Sequence, residues 1–167
     1  MTAVYKEFIP EEGITVAATG PEYKRFQGTN FPVSCLAFDA AADEVVYFKR
    51  RLLNYGSGNF TFEVSWYADT ASSGDVVWGV SVALMTADAD AQDEETKALA
   101  TETTVTDSHL GTVAQRPMKA IVVVTNLDSA ASGDELYVRV RRIGSNGSDT
   151  MLGDALLTLL VMTYSDV

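Results

Sequence analysis

The chain contains one histidine and one cysteine in 167 residues. A single cysteine excludes an internal disulfide, and zinc sites built from cysteine and histidine clusters are excluded with it. Cys35 lies in the apolar run 33–38 and is predicted to be a small buried side chain. His109 stands beside Ser108 and Asp107, but adjacent residues cannot form the geometry of a Ser-His-Asp triad. His109 is therefore predicted to be an exposed turn residue.

Motifs of catalysis and of metal binding are also lacking. The chain has no nucleophile elbow, phosphate-binding loop or H-E-x-x-H motif. The acidic stretch that begins Asp88, Ala89, Asp90 resembles the start of an EF-hand, but the sixth position is Asp93 instead of glycine and the twelfth is Leu99 instead of glutamate. We therefore expect no enzyme, no cofactor and no EF-hand, while a calcium site of another kind among loop carboxylates stays open.

Long apolar runs and excess positive charge are absent. No run approaches the ~20 apolar residues of a membrane helix, and residues 1–13 lack the apolar segment of a secretory signal. The net charge is −11, from 12 Lys and Arg against 23 Asp and Glu. An acidic surface repels nucleic-acid phosphates and anionic lipids, so neither nucleic acid nor a membrane is expected as a partner.

Short runs of alternating apolar and polar residues, separated by Gly, Asp, Asn and Ser, fill most of the chain. In the run 60–67 the residues Phe60, Phe62, Val64 and Trp66 share one face, which is the period of a half-buried strand. The predicted strands are 33–38, 44–53, 60–67, 75–86, 102–106, 118–126, 135–143 and 155–164. Without intervening helices these strands are expected to pair antiparallel. The sequence predicts an all-β, antiparallel jelly-roll β-sandwich of about eight strands, with an immunoglobulin-like sandwich as the alternative.

Two segments break the strand pattern. Residues 1–32 hold three of the four prolines, so they are predicted to be an irregular N-terminal arm for attachment, distinct from the sandwich domain 33–167. The apolar residues of this arm predict packing against its own sandwich or a neighbouring subunit. Residues 86–100 are rich in Ala, Asp and Glu and are predicted to be a loop or short surface helix. Gly-Asp steps at 74–75, 133–134 and 153–154 predict turns at strand entries.

Side-chain phase separates core candidates from interface candidates. Trp66 and Trp78 are in phase with their apolar neighbours and are predicted to lie in the core. The strand 118–126 is apolar on both faces and is predicted to be central. The basic runs 49–51 and 139–142 are predicted to be outer-face stripes that an acidic neighbour could meet. The interface candidates are Tyr5, Phe8, Ile9, Tyr23, Phe26, Phe31, Tyr47, Arg51, Tyr67, Tyr137, Arg139 and Arg141.

Six stretches in order carry a family resemblance. They are L-A-F-D at 36–39, V-V-Y-F-K at 45–49, N-Y-G-S-G at 54–58, V-S-W-Y-A at 64–68, S-G-D-V-V-W-G-V at 73–80 and S-N-G-S-D-T-M at 145–151. This order resembles jelly-roll virion proteins of tailed bacteriophages, described as capsid decoration (cement) proteins, head fibres or tail-fibre components. The resemblance covers about residues 33–164. It implies a sandwich that attaches to a virion, often as a homotrimer, and it supplies no catalytic residues.

The resemblance ranks the functional hypotheses. The first is a capsid decoration protein that binds the major capsid protein or another virion protein at the capsid surface, made in the host cytoplasm and not secreted. The alternative is a carbohydrate- or receptor-binding module of a tail or head fibre, in which tyrosines such as Tyr47, Tyr67 and Tyr137 would line a sugar site. An enzyme is the last hypothesis, because 23 acidic residues always supply some carboxylate pair without specificity.

Overall fold

A computed structural model of the chain describes residues 2–16, 18–89 and 91–167. This part of the chain contains eleven strands and one 3-10 turn, Pro10–Glu12. The strands are β1 (Ala3–Phe8), β2 (Ile14–Thr15), β3 (Glu22–Phe26), β4 (Val33–Phe38), β5 (Asp43–Arg51), β6 (Tyr55–Ala68), β7 (Asp75–Met85), β8 (Thr103–Ser108), β9 (Met118–Val124), β10 (Glu135–Ile143) and β11 (Ala155–Asp166). None of the described helical turns is long and apolar enough to cross a membrane.

The strands form two antiparallel sheets that pack face to face. The first sheet has the order β3-β4-β11-β6-β9, and β1 joins it by pairing with β11. The second sheet has the order β2-β5-β10-β7-β8. The protein is an antiparallel jelly-roll β-sandwich, as the alternating runs predict, and all eight predicted strands are present; the largest difference is at β6, which begins five residues before the predicted run 60–67.

The core lies between the sheets and is built from the in-phase residues of each strand. In β6 the alternation is strict, with Phe60, Phe62, Val64 and Trp66 buried and the residues between them partly exposed. Trp78 of β7 meets Trp66 across the core at a ring-centroid distance of 6.2 Å. Both tryptophans are at most 1% exposed, which confirms their predicted place in the core.

Arg142 corrects the predicted basic stripe on β10. It is in phase with Val138 and Val140, and it is completely buried. Burial of the charge is compensated by Asp149, which accepts hydrogen bonds from Nε at 3.0 Å and from Nη2 at 2.7 Å. A buried charge needs such pairing, so the stretch 145–151 that carries part of the family resemblance supplies the acid of a structural ion pair.

The N-terminal segment also differs from its prediction. It is not irregular, because it contains β1, β2 and β3: β1 precedes Pro10, which is in the 3-10 turn, and Pro21 and Pro32 stand outside the strands that follow them. Packing on its own sandwich is confirmed, since β1 pairs with β11 and β3 with β4. Met1 and Ala17 lie outside the described residues. Use of the segment for attachment stays a prediction.

Three smaller expectations have different outcomes. The strand β9 is not central, because in the described part of the chain it pairs only with β6. The described residues of 86–100 form turns and loop without a helix, and Asp90 lies outside the described residues. Gly74 and Gly133 have φ of 103° and 101°, as predicted for the Gly-Asp turns, whereas the third glycine, Gly153, has ordinary φ and instead approaches Asp69 too closely for a side chain.

Candidate binding groove

A change of partner along β11 creates the groove on the outer face of the first sheet. Residues 155–157 of β11 pair with β4, and residues 160–165 pair with β1. The pairing of β11 with β6 has a register shift between Leu157 and Leu159. After the Leu36–Leu157 pair, β4 is therefore no longer joined to β11. The free end of the β3–β4 hairpin lines the groove together with outward-facing residues of β6, β9 and β11.

The groove has a volume of about 1100 Å³. This volume is at the upper end of the range for small-molecule sites in proteins. Its lining combines aromatic side chains with polar ones, which include Phe26, Phe31, Tyr67, Glu63, Gln115 and Lys119. Such a mixture of apolar surface and a few hydrogen-bonding groups is typical of ligand sites.

The hairpin presents two phenyl rings to solvent. Phe31 is 69% exposed and lies in the loop between β3 and β4, and Phe26 is 42% exposed at the end of β3. Exposed large aromatic side chains lose favourable burial energy, about 25 cal/mol for each Å² left in water. A ligand that covers these rings recovers that energy.

Tyr67 supplies a third ring, which is partly buried. Burial raises the pKa of Tyr67 to about 12, with the charge of the Cys35 thiolate and the hydrogen bond to Cys35 adding to the effect. Cys35 is completely buried beside Ala37 and Leu156, which confirms its prediction. Burial raises the pKa of the Cys35 thiol as well. Both groups are neutral at physiological pH, so this side of the groove is an uncharged surface.

Polar side chains stand on the neighbouring strands. Lys119 Nζ lies 2.9 Å from Glu63 Oε2, and the two side chains are 61% and 35% exposed. An ion pair this exposed contributes little to stability, so its groups can exchange partners with a ligand at small cost. Gln115 Nε2 donates a hydrogen bond of 2.6 Å to the carbonyl of Asp69, which orients the amide at the rim.

The core tryptophan reaches the groove through its indole edge. Trp66 Nε1 donates a hydrogen bond of 2.8 Å to Asp107 Oδ2 on β8, in the opposite sheet. Burial raises the pKa of the Asp107 carboxyl; the hydrogen bond from Trp66 lowers it, and the nearby charge of Asp75 raises it further. The carboxylate thus joins the two sheets where the groove lies.

His109 organises the loop between β8 and β9. The prediction that it is exposed is wrong, because only 8% of its surface is accessible. The Gly111 N–H donates to Nδ1 at 3.0 Å, so Nε2 carries the ring proton and donates to the carbonyl of Ala114 at 3.0 Å. The ring also packs against Trp66, with centroids 6.3 Å apart. Both ring nitrogens are used to hold the loop, which leaves neither for catalysis.

Three of the predicted interface residues, Phe26, Phe31 and Tyr67, come together in the groove. Tyr5, Ile9 and Tyr23 are exposed elsewhere on the surface, and Tyr47 is half-buried on the outer face of the second sheet. Phe8 is a correction: it is completely buried in the core with the Arg50 guanidinium 4.8 Å above its ring, because it is in phase with the buried face of β1.

The remaining interface candidates are engaged within the chain. Arg141 makes two hydrogen bonds of 2.7 Å to the Glu102 carboxylate, and Arg139 adds one of 3.0 Å. Lys49 Nζ lies 4.8 Å from the ring centroid of Tyr137. Arg51 Nε donates to the carbonyl of Gly133 at 3.0 Å. Their role in an interface stays a prediction.

Metal binding finds no support in the geometry. In residues 2–16, 18–89 and 91–167, no three His, Cys, Asp or Glu side chains lie close enough together to hold a metal ion. The groove carboxylates already have partners: Lys119 for Glu63, Trp66 for Asp107, and the N–H and hydroxyl of Thr70 for Asp69. The chemistry that the groove offers is stacking and hydrogen bonding.

Comparisons with known proteins concern the architecture. No family model matches the chain, and no curated protein matches it. Among solved structures, the CBM36-1 domain of a multidomain xylanase from the hindgut metagenome of Trinervitermes trinervoides is 11% identical with a TM-score of 0.49, over 98% of this chain and 100% of that one. The mannan-recognising module TmCBM27 is 12% identical with a TM-score of 0.46, over 99% of both chains. The K1 cleaved adhesin domain of Lys-gingipain from Porphyromonas gingivalis W83 is 16% identical with a TM-score of 0.48, over 97% and 99%. None of these three is a phage protein. Sequence identities and TM-scores this low do not indicate what this chain binds.

Proposed function

We propose that this chain is a carbohydrate-binding module without catalytic activity, whose ligand lies in the groove on the outer face of the first sheet. The supporting observation is the juxtaposition of the exposed rings of Phe26 and Phe31 with the hydrogen-bonding side chains of Glu63, Gln115 and Lys119. A sugar ring has an apolar C–H face and a rim of hydroxyl groups. It therefore requires an aromatic surface beside donors and acceptors.

The charge around the groove favours an uncharged glycan. The carboxylates of Glu63, Asp69 and Asp107 lie along it, against the single ammonium of Lys119. Nucleic acid would be repelled by this balance and by the net charge of −11. A peptide bound by strand addition needs a free strand edge, but β6, whose side chains line the middle of the groove, is paired on both sides, with β11 and with β9.

Truncation of Phe31 tests the proposal. Phe31→Ala removes a ring that is 69% exposed, and binding to soluble oligosaccharides should weaken at least about tenfold, because lost stacking and apolar contact exceed about 1.4 kcal/mol. Oligosaccharides selected on a glycan array are titrated by calorimetry. The matched control is Tyr5→Ala, since Tyr5 is 66% exposed but lies on β1 outside the groove. Equal effects of the two variants, or no glycan bound at all, would refute the proposal.

The absence of catalysis is part of the proposal and has its own measurement. Asp107 is held by the Trp66 indole, and Glu63 is paired with Lys119. Prolonged incubation of the protein with the glycan that it binds should therefore release no reducing ends. Steady release that is lost in Asp107→Asn or Glu63→Gln would show an enzyme instead.

We propose virion attachment as the second candidate function, in which the chain binds a capsid or other virion protein. It is supported by the ordered stretches that resemble phage virion proteins and by apolar side chains exposed on the N-terminal segment, namely Tyr5, Ile9, Ile14 and Val16. Deletion of this segment would remove Phe8 from the core, so point substitutions are the better probe. Wild type should co-sediment with capsids and Tyr5→Asp/Ile9→Asp should not; equal co-sedimentation would exclude this surface.

A further inference from the structure

In the described part of the chain β9 is an edge strand of the first sheet: it is hydrogen-bonded to β6 on one side, and β8 of the second sheet packs near it without pairing. All seven residues, Met118–Val124, pair in continuous register with β6, without a bulge. In the described part of the chain no other strand pairs with β9. An edge strand presents a row of backbone N–H and C=O groups, which either bind water or pair with another strand.

The composition of β9 lacks the features that usually protect an edge. Such features are charged side chains, proline, bulges and short length. Three other edges have them: β2 is two residues long, β3 reads E-Y-K-R-F, and β1 contains adjacent lysine and glutamate. The fourth, β8, reads T-T-V-T-D-S and is polar rather than apolar. In β9 the only charge is Lys119, near the start, and the strand continues Ala, Ile, Val, Val, Val.

Apart from Lys119, the outward side chains of β9 are apolar like its inward ones. Ile121 is 44% exposed and Val123 is 43% exposed, whereas Ala120 and Val122 are buried in the core. Apolar residues are thus in contact with water on a strand whose backbone edge is also open. A partner strand would cover both.

We propose that β9 pairs antiparallel with β9 of a second copy of this chain, centred on Ile121. In this register Ile121 faces Ile121 of the second copy, and Lys119 faces Val123 of the second copy. The inward residues pair Ala120 with Val122 and Met118 with Val124, which continues the cores of the two sandwiches. Cross-strand pairs of β-branched residues are the unit that stabilises a sheet.

Charge supports a second copy as the occupant. The chain has 23 acidic residues against 12 basic ones, so most approaches of two copies are repulsive. The strand β9 contains no acid, and in the centred register no charged side chain faces a like charge. The two Lys119 residues are four positions apart along the paired strands, about 13 Å, which exceeds the Debye length at physiological salt.

The dimer would place both grooves on one side. Residues directly opposite each other in an antiparallel pair point to the same face of the sheet. The outer faces of the two first sheets therefore become one continuous surface. This consequence rests on the proposed function: two grooves that face the same way would bind a polymeric glycan with avidity, while the pairing itself does not depend on any ligand.

Charge substitutions at Val123 test the register. In sedimentation velocity over a concentration series, wild type should show a monomer–dimer equilibrium. Val123→Lys creates two lysine–lysine pairs in each dimer, because position 123 of each copy faces Lys119 of the other. This repulsion should raise the dimer dissociation constant at least about tenfold. Val123→Glu places a carboxylate opposite Lys119 and should leave the dissociation constant unchanged or lower it.

Two further variants complete the experiment. Lys119→Glu/Val123→Lys restores opposite charges and should restore the dimer. Leu152→Lys is the control, because Leu152 is 93% exposed and lies outside β9. Thermal unfolding of each variant verifies that the sandwich is folded. A wild type that stays monomeric, a trimer, or equal effects of lysine and glutamate at Val123 would overturn the pairing. Phe31→Ala should leave sedimentation unchanged, so a failure of the glycan proposal is distinguishable from a failure of this one.

Discussion

The side chain of Arg142 is buried with all five of its N–H groups bonded. Nε and Nη2 donate to the carboxylate of Asp149 at 3.0 and 2.7 Å. Nη1 and Nη2 also donate to backbone carbonyls at 3.2, 2.8 and 2.7 Å. Asp149 Oδ2 further accepts the backbone N–H of Val77 at 3.0 Å. The carbonyls belong to Phe38, Gly153 and Met151, so the ion pair ties β4, β7, β10 and the loop before β11 together.

Asp149→Ala should therefore destabilise the protein strongly. It leaves the Arg142 cation buried without a counter-charge, which costs about 3–5 kcal/mol, and it leaves the Val77 N–H unpaired, which costs about 1–3 kcal/mol more. The two costs sum to about 4–8 kcal/mol, and because partial relaxation reduces the sum, we expect a loss of about 4 kcal/mol, the lower end of this range. Because domains have a total stability of about 5–15 kcal/mol, this is a large fraction. Equilibrium urea unfolding followed by tryptophan fluorescence measures it.

The exposed Lys119–Glu63 pair gives the matched control. Its side chains are 61% and 35% exposed, so Glu63→Gln should cost less than about 1 kcal/mol. The double variant Arg142→Met/Asp149→Ala should be more stable than Asp149→Ala alone, because no charge remains buried. If Asp149→Ala were within about 1 kcal/mol of wild type, the guanidinium would have access to water or another acceptor, and this account of the interior would be refuted.

Three further predictions concern the groove and a turn. Asp107→Asn should stabilise the protein at neutral pH. Burial raises the pKa of Asp107 in the folded state above its unfolded value, so wild type loses stability as the pH rises from the unfolded pKa through the folded one. In urea unfolding, the stability gained by the variant should therefore vanish at low pH, where the Asp107 carboxyl is protonated in both states. Tyr67→Phe should remove the phenol that ionises at about pH 12 from an ultraviolet titration, and retention of that transition would contradict the assignment. Gly74→Ala should cost clearly more stability than Gly133→Ala: both have φ near 100°, but only at Gly74 would the new Cβ meet a backbone atom, Met151 Cα at 2.7 Å. Equal losses would contradict this reason.

The strands that could be predicted are those in which burial imposes a period of two. The run 60–67 and the strand Glu135–Ile143 show this, and Arg142 follows the same phase although its charge suggested the outside. The strands β1 and β3 were missed because the prolines of residues 1–32 dominate the composition. Proline excludes itself from a ladder but not the six residues of β1 before Pro10 or the five residues of β3 after Pro21. For this reason Phe8 was not recognised as an inward-facing residue of a strand.

The groove could be predicted only in part, because it depends on strand order. Phe26 and Phe31 stand out in the sequence as aromatic residues near proline and glycine. Glu63 and Lys119 are outward positions on β6 and β9, but that these strands are neighbours follows from tertiary pairing alone. Gln115 lies in a loop without any pattern. The strand β9 was predicted to be central because its residues are apolar on both faces. The sequence pattern does not show whether the apolar residues of the second face are covered by other parts of the protein or exposed on an edge strand.

The residues that line the groove differ in how they are held, and this decides which substitutions report on function. Trp66 belongs to the core, where it packs against Trp78 and His109 and bonds to Asp107. A change at Trp66 would disturb the fold and the groove together and could not separate them. Phe31 projects from the loop of a hairpin that β11 no longer holds at that point, and it contributes little to the core. Its truncation therefore removes part of the surface that we propose binds the ligand and leaves the core intact, which makes Phe31 the position at which a binding defect has an unambiguous cause.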